Sequence, residues 1–238
     1  MTFIKNIASY LFPIVVETKA GSVTPYLEVI KSNGKFILNS ENANYSFGGL
    51  HTIFDSLFKK INLKQYEFKN VLILGMGAGS VVSLLKDKYK FKCQITAIEK
   101  DEVIIEFAKK YFGIEKHSTV SIINEDAFEY VGSTDCKYDL IISDLFIDND
   151  VPQIFASKEY LSNLKRISSD NCCIMYNKMT EDIVHKNELI FLFEKFKLIF
   201  PDSLIQKTIV NDSENSVLYH NNLKLAQKIV MPESYSVN

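Results

Sequence analysis

The chain has 238 residues, 47% of them apolar and 24% charged, with 9 glycines and 5 prolines, which excludes collagenous, low-complexity and disordered classes. Lysine and arginine together number 27 against 29 aspartates and glutamates, a net charge of −2, so no positive excess exists to neutralise a nucleic-acid backbone. Arg166 is the sole arginine, which rules out recognition by several guanidinium forks and leaves backbone amides, carboxylates and apolar walls to do it.

The opening stretch, Met1 to Pro13, is apolar but lacks the long uncharged run and small-residue cleavage site of a signal peptide. No later run approaches membrane-spanning length, so a cytoplasmic protein without a membrane partner is predicted. Cys93, Cys136, Cys172 and Cys173 show neither metal-ligand spacing nor a disulfide framework. Buried, reduced thiols and no metal are the expectation.

Residues 14–62 read as a small β-rich unit. Ile14–Thr18, Tyr26–Lys31 and Lys35–Leu38 are short β-prone runs, broken by Ala20-Gly21, Pro25 and a hairpin turn at Ser32-Asn33-Gly34. Asn42–Phe47 reads as a loop, and Gly49–Asn62 carries Leu50, Ile53, Phe54, Leu57, Phe58 and Ile61 at helical intervals. We therefore expect an N-terminal β domain with a connecting helix over 1–62 and a second domain over 63–238.

From Lys69 strands alternate with helices, the signature of a parallel sheet covered on both faces. Strands are predicted at Val71–Leu74, Gln94–Ile98, Val120–Ile123, Leu140–Ser143 and Cys172–Tyr176, and helices at Ser80–Lys88, Asp101–Phe112, Ser157–Ile167 and Glu181–Phe196. Leu204–Val210 and Ser216–His220 are two further strands, separated only by 211–215. So short a link requires an antiparallel pair. A mostly parallel α/β sheet finished by an antiparallel hairpin is the outline of a Rossmann-like methyltransferase fold.

The chemistry-bearing residues fall at strand ends. Gly75, Gly77 and Gly79 follow the first parallel strand, where glycines permit a sharp turn and close approach of a ligand to backbone amides. Their spacing does not complete a dinucleotide fingerprint, since Ser80 stands where a third glycine belongs. Glu99, about 24 residues after Gly75, ends the second strand, where a carboxylate can accept from both hydroxyls of a ribose. Asp126, just beyond the third strand, can accept from an adenine amino group, with the next amide, that of Ala127, donating to the ring. Asp144 follows the fourth strand and is the leading catalytic candidate, as a proton acceptor for an attacking amine. Among the histidines, His51 is nearest the substrate side in sequence, and its expected role is capping or surface.

These residues together resemble a family. The segment from about Tyr10 to Asn177, with the terminal hairpin, is similar to the spermidine synthase (polyamine aminopropyltransferase) family, a small β domain followed by a methyltransferase-like Rossmann domain. The resemblance rests on Val71–Gly79, Ala97-Ile-Glu99-Lys-Asp101, Asn124-Glu-Asp126-Ala-Phe-Glu-Tyr130, Tyr138-Asp-Leu-Ile-Ile-Ser-Asp144 and Phe155-Ala-Ser-Lys-Glu-Tyr160-Leu. It implies a homodimer, Asp144 as the catalytic aspartate and Tyr45 on the substrate side; Asp148, one step past the family's second loop acid, is a substrate-side candidate whose alternative is a plain loop acid. Three positions depart from the family pattern. Ala78 stands where the family places an aspartate for the aminopropyl ammonium of decarboxylated S-adenosylmethionine, Ile147 where it places a second loop acid, and Ser46 where it places a glutamine. An uncharged residue at 78 suits S-adenosylmethionine itself, whose carboxylate offsets its ammonium. The leading expectation is thus a methyltransferase on a small-molecule acceptor such as an amine. The alternatives are aminopropyl transfer to a polyamine, a non-catalytic nucleoside-binding relative, and a nicotinamide oxidoreductase that only the glycine turn and Glu99 support.

Overall fold

The computed structural model describes residues 7–41, 49–147, 150–210 and 213–224. A three-stranded antiparallel sheet comes first, β1 (Ile14–Lys19), β2 (Leu27–Ser32) and β3 (Lys35–Ser40) in sequential order. Asn33 and Gly34 both take positive φ, 50° and 75°, the conformation a two-residue hairpin turn needs to match the strand twist.

The chain then runs through α1 (Gly49–Lys60) into a seven-stranded sheet of order β6-β5-β4-β7-β8-β10-β9. Its members are β4 (Asn70–Leu74), β5 (Gln94–Glu99), β6 (Val120–Asn124), β7 (Tyr138–Ser143), β8 (Ser168–Met179), β9 (Leu204–Val210) and β10 (Ser213–Asn221). The β6-β5-β4-β7-β8 block is parallel, and β10 pairs antiparallel with both β8 and β9. The expected fold is the one observed. The terminal pair is longer than its sequence pattern suggests, because β10 begins at Ser213 and residues 213–215 continue the ladder rather than the link.

Two apolar layers cover the sheet, and strand alternation assigns residues to them. Val71 and Ile73 of β4 face a cluster containing Ile53, Phe54, Leu57 and Phe58 of α1. Leu72 and Leu74 face the opposite cluster, built with Tyr160, Leu161 and Leu164 of α5 (Lys158–Ile167) and Leu189, Leu192 and Phe196 of α6 (Ile183–Ile199). The helix α3 (Glu102–Phe112) looks both ways. Its Ile105 and Ala108 join the first cluster, whereas Ile104 and Phe107 pack with Leu27, Val29 and Leu38 of the small sheet.

Local departures from the sequence pattern have physical causes. The helix expected over Ser80–Lys88 is α-helical only over Ser80–Ser83 (α2) and widens into a π turn at Leu84–Lys88, with Tyr89 N–H donating to Leu84 O at 3.0 Å. The extra residue in the turn brings the Tyr89 hydroxyl to Asp55 of α1 at 3.0 Å and its ring edge-on to Phe58. A short helix, α4 (Ala127–Ser133), has no sequence periodicity to announce it. Its carbonyl end is satisfied from outside by Arg166, whose guanidinium donates to Val131 O, Gly132 O and Thr134 O at 2.7, 3.1 and 2.8 Å. Cys93, Cys172 and Cys173 are buried free thiols as expected, but Cys136, in the turn after α4, is exposed. Among the described residues no helix is long and apolar enough to cross a membrane.

Gly75 carries the sharpest backbone demand. Its φ is +82°, and a Cβ there would run into the backbone carbonyl of Asp144. Gly75→Ala should therefore lose about 2 kcal/mol or more of stability, read as a lower urea midpoint at unchanged slope; an unchanged midpoint would contradict this contact.

Candidate active site at the carboxyl edge of the sheet

The strand order places the residues singled out above side by side. Asp126 follows β6, Glu99 ends β5, the glycine turn follows β4 and Asp144 follows β7, four neighbouring strands with parallel pairing. Their carboxyl ends form one edge, where open α/β sheets bind ligands.

The glycine turn is tight. Gly75, Gly77 and Gly79 have φ of 82°, 54° and 89°. Four of its amides are bonded within the protein. Gly75 N and Met76 N both donate to Ile98 O at 3.0 Å, Gly79 N donates to Met76 O at 3.0 Å, and Gly77 N donates to Glu99 Oε2 at 2.9 Å. The turn folds onto the end of β5, so its glycines offer close approach and not free donors. Ala78 is 1% exposed and packs in the cluster of Leu27, Val29, Leu38, Ile104 and Phe107.

Glu99 accepts from Gly77 N and, through Oε1, from Asp101 N at 3.0 Å. Burial pushes its pKa up, and the Gly77 and Asp101 N–H groups pull against that. Asp126 is the N-cap of α4, accepting from Phe128 N at 2.8 Å, and pairs with Lys100 at 2.9 Å. Burial pushes its carboxyl up, but Lys100 and the cap hydrogen bond outweigh it and hold the group below the usual range. Ala127 begins that helix and is buried.

Asp144 is 9% exposed. Its N–H donates to Leu74 O at 2.8 Å, and its Oδ1 accepts from Asn177 Nδ2 of β8 at 2.9 Å. Burial raises its pKa to about 7, with Asn177 opposing the rise. A carboxyl so poised can hold or release a proton near neutrality. Next to it, Ser143 Oγ is 3.0 Å from the Tyr160 hydroxyl on the other face. Tyr45, Ser46 and Asp148 lie outside the described residues, while Ile147 is exposed. His51 lies on α1, and burial lowers its pKa.

Two side chains of this edge escaped the sequence reading. Asn177 is fully buried, but it follows the apolar run Cys172–Tyr176 in a strand that also carries Ser168, Asp170 and Lys178, so no local pattern singles it out. Asp101, which the sequence places only at the start of a helix, reaches three backbone N–H groups. A cavity of about 390 Å³ lies at the end of β8 among Val151, Tyr176, Lys178, Glu188, Phe191 and Leu192, and Glu99, Asp126 and Asp144 do not line it.

Comparison with known proteins places these features in context. Residues 52–210 match the model of the spermine/spermidine synthase domain. A polyamine aminopropyltransferase of Vibrio vulnificus is 27% identical over 123 residues, 50% of this chain and 41% of that enzyme. An eEF1A lysine and N-terminal methyltransferase homolog of Drosophila pseudoobscura pseudoobscura is 26% identical over 211 residues, 81% of this chain and 30% of that protein. The chain thus spans well under half of the curated relatives it matches. Among solved structures, the spermidine synthase of Thermotoga maritima superposes with a TM-score of 0.67 at 14% identity, covering 89% of this chain and 73% of that one. Human methyltransferase-like protein 13 in complex with SAH superposes at 0.55 and 22% identity, covering 77% and 82%. These likenesses show the shared fold.

The Asp144 environment predicts a pH signature. A carboxyl with a folded pKa of about 7 and an unfolded value of about 3.9 releases a proton on unfolding between those limits, so its contribution to stability falls as pH rises through that window. Asp144→Asn removes this loss. Its melting temperature should exceed that of the wild type by about 4 °C or more at pH 8 and by less at pH 5; an equal gap at both pH values would contradict the burial.

Proposed function

The chain belongs to the spermine/spermidine synthase family, and from that membership and the geometry of the sheet edge we propose that it is an S-adenosylmethionine-dependent transferase that methylates a small amine. The residues present fit an adenosyl donor. Glu99 accepts from the Gly77 and Asp101 N–H groups and, as a carboxylate, keeps acceptor capacity for a ribose diol. Asp126, ionised and anchored by Lys100, keeps acceptor capacity for an adenine amino group.

Held by Glu99 and Asp126, the donor would supply an electrophilic methyl carbon for an amine nitrogen, the carbon–sulfur bonding pair staying on sulfur. Asp144 accepts the proton that the nitrogen sheds, and a pKa of about 7 matches it to that task near neutrality. Asn177 holds the acceptor oxygen of Asp144 in place. Gly75 and Gly77 keep the turn slim enough for the two reactants to lie in line.

The surroundings of Ala78 carry the choice of methyl transfer. Position 78 offers no carboxylate to an aminopropyl ammonium, and its methyl is enclosed by Leu27, Val29 and Leu38, where an unpaired cation is costly to hold. Alignment with the methyltransferase homolog over 81% of the chain supports the same choice. Aminopropyl transfer from decarboxylated S-adenosylmethionine is the second reading, favoured by the family match over 52–210. The homodimer and cytoplasmic location belong to the proposal too; exposed Ile183, Ile190, Phe191 and Leu198 on α6 support a subunit contact.

Calorimetry with both donors separates the readings. S-adenosylmethionine should bind more tightly than its decarboxylated form, and mass spectrometry of a panel of small amines should show a gained methyl. A gained aminopropyl group would establish the second reading instead. Glu99→Ala should weaken donor binding about tenfold or more, while Asp144→Asn should spare binding and lower turnover by about two orders of magnitude. Full turnover in Asp144→Asn would remove that residue from the mechanism.

A further inference from the structure

The small N-terminal sheet meets the nucleoside edge through one carboxylate. Asp101 is 1% exposed. Its Oδ2 accepts from Val23 N at 3.0 Å and Thr24 N at 3.1 Å, both in the loop between β1 and β2, and its Oδ1 accepts from Val103 N at 3.0 Å as the N-cap of α3. Its own N–H donates to Glu99 Oε1, whose partner oxygen takes Gly77 N. An unbroken hydrogen-bonded path therefore runs from the β1–β2 loop through Asp101 and Glu99 into the glycine turn.

The loop is shaped for this contact. Gly21 N donates to Thr24 O at 3.0 Å, which folds the loop so that the Val23 and Thr24 amides point the same way. A Cβ on Gly21 would run into the Asp101 carboxylate. A buried carboxylate with three backbone donors is held far more firmly than the exposed Lys19–Glu106 pair along the same seam. Ala78 closes the seam from the other side of the turn, against Leu27 and Val29.

We propose that Asp101 is a positioning residue for Glu99: by fastening the β1–β2 loop to the end of β5, it makes the small sheet part of the apparatus that grips a ribose diol. This rests on reading Glu99 as the ribose acid. The consequence is that loosening the loop loosens the grip, although the loop need not touch the nucleoside.

Two variants break the tie from opposite sides. Asp101→Ser keeps an N-cap for α3 but is too short to reach Val23 and Thr24. Gly21→Ala pushes the loop away from the Asp101 carboxylate and leaves every residue of α3 and Glu99 in place in the sequence. Each is compared with the wild type by calorimetry, using methylthioadenosine and its 2′-deoxy analogue as probes, with circular dichroism to confirm folding. Both variants should bind methylthioadenosine about tenfold more weakly and lose most of the wild-type preference for it over the deoxy compound. The double variant should be no worse than the poorer single one, since both cut the same link. If the variants melt earlier yet keep the wild-type preference, Asp101 is merely structural and the proposal is overturned. If the wild type itself shows no preference for the ribose form, the reading of Glu99 fails and the proposal with it. Should Asp101→Ser not fold, Gly21→Ala decides alone.

Discussion

The space at position 75 governs the rest of the structure. β4 and β7 are neighbours at the centre of the sheet, and Asp144 N–H donates back to Leu74 O. Their ends converge until only a hydrogen fits between Gly75 and the Asp144 carbonyl. The glycine turn and the acid are consequently two sides of a single backbone node, with no loop of adjustable length between them. That convergence also explains the burial of Asp144, and burial in turn explains its raised pKa. Functional groups carried on central strand ends hold their geometry better than groups carried on long loops.

The edge concentrates acids that a net charge of −2 conceals. Each is stabilised differently. Asp126 has a lysine and a helix N-terminus, Glu99 has two amides, and Asp144 has one amide from a side chain. Solvation by the protein thus declines from the outer strand β6 toward the centre, and the direction of the pKa shifts follows it, lowered at Asp126 and raised at Glu99 and Asp144. Where the protein stabilises charge most, a neutral adenine edge can be met without proton exchange; where it stabilises charge least, a proton can change hands.

The sheet was legible in the sequence because its strands are short apolar runs whose lengths leave no helical alternative, as with Val71–Leu74 and Leu140–Ser143. The acids at strand ends were legible for the same reason, since a strand's end fixes which residue reaches the edge. Features set by distant partners were not. Asp101 meets Val23 and Thr24 almost eighty positions away, and Asn177 meets Asp144 across thirty-three. Nothing in local periodicity encodes such pairings. The internal hydrogen bonds of the glycine turn were not legible for a related reason: a glycine pattern states that the backbone can turn sharply, and only the neighbouring strand decides what N–H groups such as those of Gly75 and Gly77 then meet. The π turn at Leu84–Lys88 likewise answers to Asp55 and Phe58 on another helix.

Arg166 closes the α4–α5 corner by donating to three carbonyls at the end of α4, and the chain has no second arginine. Guanidinium chemistry in this molecule is therefore confined to one address, at the opposite end of α4 from Asp126. A dicarbonyl reagent, commonly applied to find anion-binding arginines, would here act as a single-site reporter of how often that corner opens.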